Sequence, residues 1–287
     1  MDLFAEIARD LPVLWWAGLA TVGLCVGSFL NMLIYRLPLM ISIAEQRAEE
    51  RIAPYAFATQ LETRQERGVF NLLIPASHCT SCRTPLGWRN NIPLLSWLLI
   101  RGRSRCCNKP ISISYPLVEL VTVGVTLFCA WLFPPGLALV GVLLFSWLLL
   151  ALAVIDGKTW LLPDALTWPL LWMGLLFNLN GQFAPLEDAV LGVIAGYGLL
   201  WLFNAVTSSL VKKNCMGNGD FKLTAALAAW SGWQCLPQLL LLAATLGILA
   251  IALAHLVYKK NLSSAIPFGP ALAVAGWLQV TGVLTTG

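Results

Sequence analysis

Residues Gly136–Ile155 read GLALVGVLLFSWLLLALAVI and run without a break into Asp156-Gly157-Lys158. Twenty residues without a charge match the helix length that crosses the hydrocarbon core of a bilayer. The acid at the end of this run is therefore the feature to explain, because carboxylates at the membrane edge are costly and usually functional. A second stretch has the same character. In Gly217-Asn218-Gly219-Asp220-Phe221-Lys222 a carboxylate again stands where an apolar run meets a lysine. The 287-residue chain has only 14 acidic residues, so two such placements stand out.

Seven further apolar runs flank that first one: Leu11–Ile34, Pro116–Phe133, Ala165–Asn178, Ala189–Val211, Phe221–Trp233, Leu236–Val257 and Pro267–Leu284. The chain is 58% hydrophobic and 11% charged, against about 25% charged in soluble domains. This pattern predicts an all-α polytopic membrane protein with about eight transmembrane helices in a lipid bilayer. The runs starting at Ala165 and Phe221 are short and read as partial or tilted spans. Three regions follow: a first transmembrane helix over 1–38 ending at Arg36 and Pro38, a polar loop domain over 39–115, and a membrane bundle over 116–287.

Charge sets the expected topology. Eleven of the 18 lysines and arginines lie between Arg36 and Lys109, which places the loop domain in the cytoplasm. Alternation then puts Lys158, Lys212, Lys213, Lys222, Lys259 and Lys260 on that same side, and Asp156 and Asp220 with them. The segment Asn178 to Asp188 on the opposite side has no lysine or arginine. These basic residues read as topology signals, and nothing in them points to nucleic acid.

Two acids on one side of a membrane suggest aspartyl protease chemistry. Amide hydrolysis needs an activated water and a proton donor, and two neighbouring carboxylates sharing one proton supply both. Gly217 and Gly219 are expected to allow close backbone approach next to Asp220, leaving room for an extended peptide. The bland alternative is that both acids cap the helices that follow them. Asp164, after Pro163, reads as an N-cap.

Cysteines form the second constellation. Cys25, Cys129, Cys215 and Cys235 lie in or beside apolar runs and read as buried thiols. Cys79, Cys82, Cys106 and Cys107 lie in the polar loop, where a reducing compartment favours metal ligation over a disulfide. Cys79-Thr80-Ser81-Cys82 has the spacing of a zinc half-site. Its bland alternative is a metal-free loop with reduced thiols. Gly192 and Gly196 form a small-xxx-small helix-packing pattern.

Several blocks together carry a family resemblance. They are Gly27-Ser28-Phe29-Leu30-Asn31 with Arg36-Leu37-Pro38, Asn90-Asn91-Ile92-Pro93-Leu94, and Ile111-Ser112 through Tyr115-Pro116-Leu117-Val118-Glu119-Leu120. Asp156 through Leu162-Pro163-Asp164, Gly217-Asn218-Gly219-Asp220-Phe221-Lys222-Leu223 and Pro267-Phe268-Gly269-Pro270 complete the set. In this order they resemble the type IV prepilin peptidases, the GxGD aspartyl proteases of bacterial inner membranes. The resemblance implies cleavage of the basic leader of type IV prepilins or type II secretion pseudopilins at the cytoplasmic face. It maps the catalytic pair onto Asp156 and Asp220. It also implies N-methylation of the new terminus with S-adenosylmethionine, although no dinucleotide-type glycine fingerprint is present.

The family's second cysteine pair aligns with Ser104-Arg105-Cys106-Cys107, where Ser104 replaces one cysteine and the remaining two are adjacent. The expected zinc shell is Cys79, Cys82 and Cys107, completed by Cys106, His78 or water. Glu119, one turn into a membrane helix, is a candidate to orient a substrate amine or bind the cofactor, with an ion pair to a loop arginine as its alternative. Two other functional classes compete with the enzyme. A transporter would also carry membrane acids, but it would show matching halves. A non-catalytic assembly factor would use the cysteine loop for docking.

Overall fold

The computed structural model describes residues 2–52, ten residues between 71 and 87, and residues 94–211, 217–258 and 267–283. Its elements are α1 (Asp2–Asp10), α2 (Pro12–Ile52), α3 (Leu95–Leu99), α4 (Ser114–Leu132), α5 (Leu137–Thr159), α6 (Asp164–Asn178), α7 (Leu186–Val211), α8 (Asn218–Ser231), α9 (Leu236–Tyr258) and α10 (Gly269–Val280). The only β pairing among the described residues is two isolated bridges. The protein is thus an all-α, multi-pass membrane protein.

Each of the eight expected runs falls in a helix, but their lengths divide them. Five helices are long and apolar enough to cross a membrane: those within Pro12–Gln46, Ser114–Leu132, Leu137–Thr159, Leu186–Leu210 and Trp233–Val257. The other three, α6, α8 and α10, have 15, 14 and 12 residues. At 1.5 Å per residue the 14 residues of α8 reach about 21 Å, short of a hydrocarbon core of about 30 Å.

One boundary differs from expectation. α2 does not stop at Arg36 and Pro38 but continues to Ile52. Proline removes one helical hydrogen bond, and a long helix survives this with a local bend. The Arg36 guanidinium is buried and donates to the carbonyls of Asn71 and Leu72 at 3.0 and 3.1 Å, so it also anchors the polar segment. Residues 53–70 of the loop domain lie outside the described residues, as do Asn90–Pro93, Lys212, Lys213, Cys215, Lys259 and Lys260. Cys129 is buried as expected, whereas Cys25 is exposed on α2.

The chain forms two compact units, Gly18–Gly124 and Met1–Ala17 with Val125–Gly287. In the larger unit α8 is the central helix, and Phe221, Leu223 and Ala225 through Trp230 are at most 2% exposed. Its alanines give it a thin profile, and glycines on its neighbours let three helices close on it. A Cβ at Gly174 of α6 would stand 2.6 Å from Trp230, at Gly192 of α7 2.8 Å from the Ala228 carbonyl, and at Gly276 of α10 2.4 Å from Leu227. Gly192 and Gly196 therefore serve helix packing. The helix ends at Gly232, whose φ of 82° only glycine adopts cheaply.

The end of α8 distant from Asp220 is closed by polar and aromatic contacts. Trp230 packs on Phe145, Phe177 and Phe183 at 4.9, 5.5 and 5.2 Å and donates its indole N–H to the Leu170 carbonyl at 2.9 Å. Asn178, 1% exposed, uses its whole amide. It donates to the carbonyls of Ala229 and Trp230 and accepts from the backbone N–H groups of Phe183 and Ala184. Asn178→Ala leaves these groups unpaired in a buried site. It is expected to cost about 3 kcal/mol of stability, read as a lowered unfolding midpoint in detergent, whereas Leu179→Ala on the exposed surface should change little.

Candidate active site

Asp156 lies in the last turns of α5, whose end is set by Trp160 in the left-handed region with its N–H on the Asp156 carbonyl at 2.9 Å. The chain then turns through Leu161, Leu162 and Pro163 into α6. Leu162 packs against Gly219, where an added Cβ would stand 2.9 Å from the Leu162 side chain. This contact brings the end of α5 to the head of α8. The space beside Gly219 is thus filled by the protein's own turn, and it does not admit an extended peptide there as the sequence suggested. Gly217 remains exposed.

Asp220 occupies the first turn of α8 and lies outside the five membrane-length helices. Burial first, and the neighbouring Asp156 charge second, push its carboxyl up to about 6, against an opposing backbone hydrogen bond from Gly217. The two acids, 64 positions apart in the chain (220 minus 156), thus lie within electrostatic reach of each other. Asp156 is only 5% exposed, and its Oδ2 accepts the backbone N–H of Gly269 at 3.0 Å.

The capping alternative does not describe Asp156, which stands at the C-terminal end of its helix. At α8 the N-cap is Gly217, and no side chain caps the helix. Asp164 is not an N-cap either. It is the first residue of α6, where Pro163 holds the cap position without a side-chain bond, and both its oxygens accept from Lys222 Nζ at 2.7 Å. This ion pair ties the heads of α6 and α8 together. From the sequence Lys222 reads as a topology signal, and Gly269 enters only as part of a resemblance block. The signal for the latter was a glycine set between Phe268 and Pro270.

In the smaller unit Glu119 of α4 is 8% exposed. Its Oε2 accepts the Leu94 backbone N–H at 2.7 Å, and its carboxylate also bonds the Asn31 side chain. Asn31 Nδ2 in turn donates to the Tyr115 carbonyl at 2.9 Å. Among the described residues, Glu119 is held by backbone and amide groups. Gly27 allows this approach, since a Cβ there would stand 2.8 Å from the Glu119 Cα. Beside them a cavity of about 500 Å³ is lined by Asn31, Arg36, Trp97, Tyr115 and Glu119 among others, within the size range of ligand sites.

The loop cysteines sit on two hairpin-like turns. The first closes through Cys79 N–H on the Thr84 carbonyl and the second through Ser104 N–H on the Lys109 carbonyl, both at 2.9 Å. The sulfurs of Cys79, Cys82, Cys106 and Cys107 all lie within 4.8 Å of one another, with Cys79–Cys107 at 3.8 Å and Cys82–Cys106 at 3.0 Å. Zn–S bonds of 2.3 Å place tetrahedral sulfurs about 3.8 Å apart, so this donor set fits one ion. The adjacency of Cys106 and Cys107 does not separate their sulfurs. Ser104 sits 3.3 Å from Cys79 Sγ and 2.9 Å from Cys106 Sγ. The contact between Cys82 and Cys106 lowers the first thiol and raises the second to about 11. His78 lies outside this group and engages the Ala76 carbonyl.

Residues 21–133 match the Bacterial Peptidase A24 N-terminal domain and residues 143–252 match the Type IV leader peptidase family. A prepilin leader peptidase/N-methyltransferase of Pectobacterium carotovorum subsp. carotovorum is 45% identical over 100% of this chain and 99% of its own. Proteins of the same description from Dickeya chrysanthemi and Neisseria gonorrhoeae are 46% and 43% identical over 96% and 91% of this chain, and 95% and 88% of theirs. No solved structure matches the chain. Two family matches in tandem and full-length relatives lead to one conclusion: this membrane protein is an enzyme belonging to the Type IV leader peptidase family.

Proposed function

We propose that this enzyme is an aspartyl endopeptidase that removes the leader of type IV prepilins or type II secretion pseudopilins at the cytoplasmic face of the bacterial inner membrane. The observation that supports the reading is the contact of Leu162 with Gly219, which joins the turn after Asp156 to the head of α8 beside Asp220, where the Asp156 charge acts on the Asp220 carboxyl. With one proton between them, the ionised carboxylate takes a proton from water while the protonated one hydrogen-bonds the scissile carbonyl. Water oxygen then bonds the carbonyl carbon, and proton transfer to the amide nitrogen releases the leader as the C–N bond breaks. Residues 39–115 act as the cytoplasmic loop domain and 116–287 as the protease bundle.

The same chain N-methylates the new terminus. S-adenosylmethionine supplies an electrophilic methyl group for this step. Around the cavity of the smaller unit, Trp97 and Tyr115 offer aromatic surface, Asn31 an amide and Glu119 a negative charge suited to a cationic cofactor or a substrate amine. Cys79, Cys82, Cys106 and Cys107 would hold zinc, cross-linking the two turns of the loop domain. Mass spectrometry of a prepilin coexpressed with the enzyme tests both activities. The expected product lacks its leader and carries one added methyl group. An intact prepilin would refute the peptidase reading, and a cleaved but unmethylated one would refute methyl transfer.

A further inference from the structure

The closing contact on Asp156 comes from α10, 113 residues away, and the mechanism above gives it no task. Gly269 is the first residue of α10, preceded by Phe268 and followed by Pro270. A Cβ at Gly269 would stand 2.5 Å from Asp156 Oδ2 and 2.8 Å from its Cγ, so the backbone reaches the carboxylate only because the side chain is missing. Helix N-termini present free N–H groups and partial positive charge, which favour an anionic acceptor. Oδ2 is committed to this donor, and Oδ1 is the oxygen left for water and the partner acid.

We propose that Gly269 is a positioning residue for the acid pair: its backbone N–H holds Asp156 as the ionised member, so that the shared proton resides on Asp220. The inference rests on the aspartyl reading of the site and assigns the two roles within it. The surrounding charges allow this. α10 carries no ionisable side chain, Asp164 of α6 and Lys222 of α8 are engaged with each other, and Asp220 and the exposed Lys158 of α5 remain. Burial and the Asp156 charge bias Asp220 toward its protonated form.

The sequence makes a direct test available. Phe268-Gly269 is the one Phe-Gly step in the chain, so carbonyl-13C phenylalanine with 15N glycine isolates a single amide in nuclear magnetic resonance of the full-length protein in micelles. The Gly269 amide proton is expected to move with pH in the wild-type enzyme and to be pH-independent in Asp156→Asn. A pH-silent amide, or one that titrates equally in Asp156→Asn, overturns the proposal. In parallel, Gly269→Ala should lower kcat for leader cleavage about a hundredfold with KM nearly unchanged, and a wild-type kcat would also overturn it. The outcomes separate the two readings. If Asp156→Asn still removes leaders, the dyad fails whatever the amide does. If Asp156→Asn is inactive and the amide is silent, the dyad stands and the role of Gly269 falls.

Discussion

Replacing either Asp156 or Asp220 by asparagine is expected to reduce leader cleavage by at least about a thousandfold, as removal of one member of a catalytic unit usually does. Asparagine keeps the volume and can still accept from the Gly269 N–H, so membrane insertion and detergent stability should be unchanged. It cannot ionise, which removes the base at position 156 or the titrating proton donor at position 220. The pH profile of the wild-type enzyme should follow from the same pair. In the proposed mechanism activity needs one proton on the two carboxyls, so it should fall as pH rises through the value of about 6 at Asp220 and the donor is lost. It falls again in acid, when the second carboxyl is also protonated. Purified enzyme and a prepilin substrate assayed by gel shift across pH test this. A flat profile, or wild-type cleavage by either variant, would remove the pair from the mechanism.

The second large effect concerns the cysteine turns. Purified protein is expected to hold about one zinc per chain, and Cys79→Ser or Cys107→Ser should abolish that content, as measured by elemental analysis. Structural zinc sites in small modules are worth about 10–16 kcal/mol of folding free energy, so the turns should become sensitive to protease once a strong chelator is added. The acids lie in the other compact unit, and leader cleavage by the Cys79→Ser variant should persist. Metal-free protein with protease-resistant turns would favour the reduced-thiol loop instead.

Much of this protein is written in local pattern. An uncharged run such as Gly136–Ile155 can satisfy its backbone in lipid only as a helix, so the all-α class and the helix positions follow from composition and length. The acids at the ends of such runs, and the cysteine spacing of the loop, were legible for the same reason: misplaced charge and clustered thiols are conspicuous against an apolar background. What pattern could not decide was which helices stay short and central, because that depends on neighbours far away in the chain. α8 is buried by glycines on three other helices, α2 runs past Pro38, and Asp164 pairs with Lys222 where local sequence suggested a cap. Asp156 and Glu119 each accept a backbone N–H, from Gly269 and Leu94, a group that every residue but proline carries, so the blocks containing these residues do not say which acceptor they meet. Only packing brings such donors to a carboxylate, and so only the tertiary structure could reveal them.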